Sequence, residues 1–108
     1  MNSLEKLGLE VCAYTLLGSR TQAASLMALL NANGRIVGWE TVAQAKAWKM
    51  ETVTDVPQNA AKVRVCLLRE SMADVGIGGL IQTHEGIGYS LPEPGRTSVI
   101  ERLMEELS

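Results

Sequence analysis

The chain has 108 residues, 46% of them apolar and 20% charged, with a formal net charge of −2. That length holds one domain with a small core, and the composition excludes a disordered chain. The acidic balance argues against an undirected nucleic-acid sponge, and no apolar run approaches the ~20 residues of a membrane span.

The sequence contains no Phe and only two Trp and two Tyr, so Leu, Ile, Val, Ala and Met must fill the interior. Cys12 and Cys66 are the only cysteines and His84 the only histidine. Two isolated cysteines fit neither a zinc spacing nor a disulfide framework, which suits a reducing cytoplasm. Glu5 and Glu10 interrupt the mildly apolar N-terminus and make it a poor signal peptide.

Asn2 and Ser3 are good N-caps, and Leu4, Leu7, Val11 and Tyr14 recur at helical spacing. A first helix is predicted there, although Leu9 to Leu17 also alternates as a strand would. Gly18-Ser19 breaks it. Thr21 is placed to cap a second helix with the apolar face Ala23, Leu26, Met27 and Leu30. Asn33-Gly34 ends that helix; the dipeptide is also a hairpin signal. Arg35 to Val37 is long enough only for a brief strand. A third helix is predicted from about Trp39 to Trp48, with Val42, Ala43, Ala45 and Trp48 as core candidates. A polar link follows, Glu51 to Pro57.

A fourth helix starts near Gln58. Ala61, Val65, Leu68 and Met72 repeat at i, i+4, i+7 and i+11, one helical face. The glycine cluster from Gly76 to Gly79 reads as a flexible turn. It lacks the lysine and following helix that a phosphate-cradling loop needs. Leu80 to Thr83 and Ile87 to Leu91 read as two strands of a hairpin around His84-Glu85-Gly86, stopped by Pro92, Pro94 and Gly95. A C-terminal amphipathic helix, about residues 96–107, gathers Val99, Ile100, Leu103, Met104 and Leu107 on its apolar face.

This order, with a hairpin after the last helix of a helical pair, is that of a winged helix-turn-helix. The stretch Ile81-Gln82-Thr83-His84-Glu85-Gly86-Ile87-Gly88-Tyr89 resembles the wing of the C-terminal effector domain of OmpR/PhoB-type response regulators, which reads Ile-x-Thr, two residues, then Gly-x-Gly-Tyr. Ala61, Val65 and Leu68, with Arg69 directly after, are similar to that family's recognition helix. Thr21 to Val42 also resembles the family's first helix, its Gly-Arg-Val-Val-like strand and the start of its second helix, with Gly34, Arg35, Ile36 and Val37 at the strand positions. The resemblance spans about residues 20 to 91. It implies an α+β, mainly α, winged helix-turn-helix core over 19–91, flanked by an N-terminal helical extension (1–18) and the C-terminal helix. It implies a stand-alone domain with no receiver domain, and the first eighteen residues depart from the family's N-terminal sheet.

The function implied is sequence-specific binding of double-stranded DNA by a cytoplasmic bacterial or phage transcription regulator. Val63, Arg64, Cys66 and Leu67 fall where that family makes base and phosphate contacts. Arg64 suits guanine, and Val63 or Leu67 a thymine methyl. Lys62 and Arg69 would serve phosphates, as would Gln58 and Asn59 at the helix N-terminus. In the wing, Gln82, Thr83 and His84 can donate hydrogen bonds, whereas Glu85 at the tip repels phosphate. Residues 20 to 69 hold seven basic and three acidic residues, a balance of +4 against −6 for the remainder.

The apolar faces of the terminal helices suit a homodimer or simple packing on their own domain. The alternative function is a winged-helix adaptor that binds RNA polymerase or another regulator, with Lys49 to Pro57 as the polymerase-facing loop. One His, dispersed acids and two distant cysteines supply no catalytic set, so no enzyme, cofactor or metal is expected.

Overall fold

The computed structural model describes residues 3–46 and 58–107. The capping role of Asn2, the core role of Trp48 and the loop from Lys49 to Pro57 lie outside them. The described part is α+β and mainly helical. Its elements are α1 (Ser3–Leu17), α2 (Arg20–Asn31), β1 (Val37–Gly38), α3 (Trp39–Gln44), α4 (Gln58–Asp74), β2 (Gln82–His84), β3 (Gly88–Ser90) and α5 (Gly95–Glu105).

α2 runs through the centre. Leu26, Leu29 and Leu30 are sealed from solvent, and around them gather Val42 of α3, Val65, Leu68 and Met72 of α4, Leu91, and Val99 and Leu103 of α5. The periodicity predicted these faces of α2 and α4. The α2 cap differs from expectation. Ser19, not Thr21, is the N-cap: its Oγ accepts from the Gln22 N–H at 3.2 Å. The end is as predicted, with Asn33 and Gly34 both at positive φ.

α1 is a helix throughout, but it buries a different stripe from the one its spacing suggested. Leu9, Cys12 and Ala13 face the core, while Leu7 and Val11 stand 49% and 44% exposed. α5 likewise buries Val99 and Leu103 but leaves Met104 in solvent, and Leu107 in the turn that follows it is exposed too. α3 is shorter than predicted: Ala45 already has extended backbone, and its N–H closes the last turn on Val42 O.

The strands form one antiparallel sheet in the order β1-β3-β2. Val37 pairs with Tyr89, and Thr83 pairs with Tyr89 from the other side. The middle strand β3 is therefore buried along its length. The predicted strand limits shrink to three residues each, around a turn in which Gly86 takes φ 73°.

The glycine cluster is a helix stop, not only a flexible turn. Ile77 N–H donates to Met72 O and Gly76 N–H to Ala73 O, with Gly76 at φ 88°. This is the Schellman pattern, and the buried pair Met72 and Ile77 supplies its usual apolar contact. α4 thus ends at a defined point, and the hairpin begins at a fixed angle beside it.

The two thiols differ sharply. Cys12 is buried, and its pKa is raised by desolvation and then by the nearby Glu106 carboxylate; Cys66 is exposed. A thiol-reactive disulfide reagent at neutral pH is expected to label Cys66 rapidly and Cys12 only on unfolding. Equal labelling rates of both in the native protein would contradict this packing of α1.

Candidate functional site

α4 has two unlike sides. Ala61, Val65, Leu68 and Met72 are 0–1% exposed and hold the helix to the core. On the other side Asn59, Lys62, Val63, Cys66, Leu67 and Glu70 all face solvent. Val63 and Leu67 are 57% and 47% exposed, which leaves an apolar strip one helical turn long. Gln58 lies in the first turn of α4, and its side chain is outside the described residues. This face is the one the sequence pattern selected.

Arg64 is a correction. Its expected reach to a guanine edge is not the geometry found. The guanidinium turns back under the helix and donates from one nitrogen to Ala45 O at 2.8 Å and Val42 O at 3.2 Å. The buried Ser25 hydroxyl lies 3.4 Å away and itself donates to Val42 O. The physical reason is that carbonyls at a helix end are short of intrahelical donors: Val42 O receives the Ala45 N–H of the closing turn, and Ala45 O, at the cap, lies beyond it. A cation at that end satisfies them and meets the negative end of the helix dipole. Desolvation lowers the Arg64 pKa from the ordinary arginine value.

Arg69, expected on phosphate, instead joins α4 to the hairpin. It donates to Ile81 O at 2.9 Å and Thr83 Oγ1 at 2.8 Å, and its guanidinium lies 5.9 Å from the centre of the Tyr89 ring. Thr83 is therefore engaged as an acceptor. His84 is half-buried, with Nε2 2.8 Å from the buried Ser90 Oγ. Gln82 is exposed, as are Glu85 and Gly86 in the turn, and Ile87 stands 58% exposed.

Between α4 and the hairpin lies an open cleft of about 300 Å³, lined by Lys62, Arg69, Thr83, His84, Glu85 and the turn backbone. Two residues not among the sequence candidates complete it, Trp39 and Tyr89. Trp39 opens α3 and donates its backbone N–H to Ile87 O at 3.1 Å. Its position directly after the brief strand is the signal that would have found it. The cleft brings together Lys62, Arg69, Thr83 and His84; Asn59, Val63, Cys66 and Leu67 share the adjoining helix face.

The charges here are mixed. Lys62 is the exposed cation of the outward face, and Glu70 and Glu85 are its exposed acids. Arg64 and Arg69 retain their charge, but their donors are oriented by carbonyls and a hydroxyl of the fold. Among the described residues no cluster of His, Cys, Asp and Glu is placed to hold a metal ion, and no helix is long and apolar enough to cross a membrane.

Compared with protein-family models, with curated proteins and with solved structures, the chain matches none.

Proposed function

We propose that the chain is a duplex-DNA-binding transcription regulator of winged helix-turn-helix type. In this reading α4 enters the major groove, and the β2–β3 hairpin lies as a wing against the neighbouring backbone. The observation that carries it is the placement of α4. One whole face of this helix, Asn59 to Glu70, is free beside a hairpin, with a cleft holding Lys62 and Arg69 between them. The major groove is wide enough for one such helix with its side chains. The order α2–β1–α3–α4–hairpin and the three-stranded antiparallel sheet support the same reading.

Lys62 is then the phosphate contact of the helix, and Asn59 sits in the first turn, where the helix dipole favours an anion. Self-association belongs to the reading too. Met104 of α5 and Leu107 just after it line a groove of about 660 Å³ against Glu5, Gly8 and Leu9 of α1, and Leu7 and Val11 are exposed elsewhere on α1. A dimer formed there would space its half-sites by about 10 bp or a multiple.

Selection from a random duplex library tests the proposal, and failure to enrich any duplex would sink it. Affinity for an enriched duplex is expected to fall steeply with salt. Lys62→Ala is expected to reduce the slope of log K against log salt by about 0.9, one phosphate contact, with little change in sequence preference. An unchanged slope would remove Lys62 from the interface. The exposed Val63, Leu67 and Ile87 favour a second reading, an adaptor for a protein such as RNA polymerase. No enriched duplex, together with co-purification of one protein lost in Leu67→Asp, is the result that reading requires.

A further inference from the structure

We infer that α4 specifies its DNA site through thymine methyl groups, contacted by Val63 and Leu67 with Cys66 between them, and not through arginine on guanine. This rests on the DNA reading above and goes beyond it by naming the base chemistry read.

The guanidinium groups of α4 are oriented away from that task. Arg64 is fixed on Val42 O and Ala45 O, and Arg69 on Ile81 O and Thr83 Oγ1. Forking onto guanine O6 and N7 would require breaking those bonds, including the 2.8 Å bond of Arg64 to Ala45 O. The middle of the outward face is apolar instead, with Val63 57% and Leu67 47% exposed and Cys66 exposed between them. The major-groove edges of the bases carry one apolar group, the C5-methyl of thymine. An aliphatic side chain set against any other edge strips water from donors or acceptors without replacing it.

Spacing adds a constraint. Val63 and Leu67 lie one turn apart, about 5.4 Å along the helix. Base pairs step by about 3.4 Å. The two side chains therefore meet methyls about one or two base pairs apart. Glu70, one turn beyond Cys66 on the same face, suits only the amine donors among base edges, cytosine N4 and adenine N6, and repels phosphate. Lys62, directly before Val63, and the +4 balance of residues 20–69 make a polyanion a better occupant of this strip than a neutral apolar surface.

The experiment uses the full chain and a duplex enriched from a random library. Each thymine is replaced in turn by deoxyuridine, which removes the methyl and leaves every hydrogen-bonding edge intact. At thymines one or two base pairs apart, each replacement is expected to weaken binding about fourfold, the loss of one buried methyl. In Val63→Ala and Leu67→Ala, both surface changes checked by circular dichroism, the thymine-to-uracil affinity ratio at the matching position is expected to fall to about one. A merely structural role would lower affinity and leave that ratio intact. An enriched duplex indifferent to every replacement overturns the inference while the DNA reading stands. A library that enriches nothing overturns both.

Discussion

Replacing Arg64 by alanine is expected to lower the unfolding free energy by about 2 kcal/mol, read as a shift of the urea midpoint at unchanged slope. The loss comes from two places. The bonds to Ala45 O and Val42 O disappear, and Ala45 O at the cap of α3 loses its 2.8 Å donor while Val42 O keeps the Ala45 N–H. Ser25 remains beside them but reaches only Val42 O, at 3.4 Å. Arg64→Lys should recover part of the loss, since an ammonium keeps the charge and several N–H donors but sits on a different stem from the one nitrogen that reaches both carbonyls. DNA affinity, measured in the cold where the variant stays folded, should change far less than the tenfold or more expected of a lost guanine contact. A stable Arg64→Ala protein that has lost DNA binding would instead return Arg64 to the interface.

A larger effect is expected at Gly88. A β-carbon there would lie 1.9 Å from Val37 O, 2.8 Å from the Val37 carbonyl carbon and 2.9 Å from Gly38 Cα. All three are backbone, so no side chain can turn aside. Gly88→Ala must separate β1 from β3, where Val37 pairs with Tyr89 and Gly38 with Gly88. The start of α3 moves with β1, because Trp39 N–H is held by Ile87 O. The cost should exceed about 3 kcal/mol, placing the variant among the severe single substitutions. The melting temperature should fall by roughly 15 °C. Gly86→Ala is the control. Its φ of 73° disfavours a side chain, but its β-carbon would meet nothing within 4 Å. About 1 kcal/mol is expected there, the left-handed penalty alone. Equal losses at the two glycines would refute the close approach of β1 to β3.

These two sites show where sequence patterns are informative and where they stop. The inward stripe of α4 was legible because its apolar residues recur on one side only. α1 was not, because it carries two apolar stripes. Leu4, Leu7, Val11 and Tyr14 recur at helical spacing, but so do Leu9, Cys12 and Ala13, and the latter three face the core. Period alone cannot choose between two apolar sides. The placement of the hairpin turn at Gly86 followed from the glycine pattern. The role of Arg64 did not, since its partners are backbone carbonyls about twenty residues earlier in the chain, and a carbonyl has no letter of its own. For the same reason Arg69 read as a free cation when it is a tie between helix and hairpin.

The arginines share a habit. Arg35 donates to Ala32 O, Arg64 to Ala45 O, Arg69 to Ile81 O, Arg96 to Leu30 O and Arg102 to Val75 O. A guanidinium bound to a neutral carbonyl is immobilised, but that bond does not neutralise it; of these five, Arg102 is also paired with Glu105 and Glu106. The positive charge of these five arginines is therefore held at fixed coordinates, unlike that of a surface lysine such as Lys62 on its flexible stem. An anion drawn toward such charges meets a field already in place. The entropy of ordering the side chains that create it was lost once, on folding, and is not lost again at each encounter.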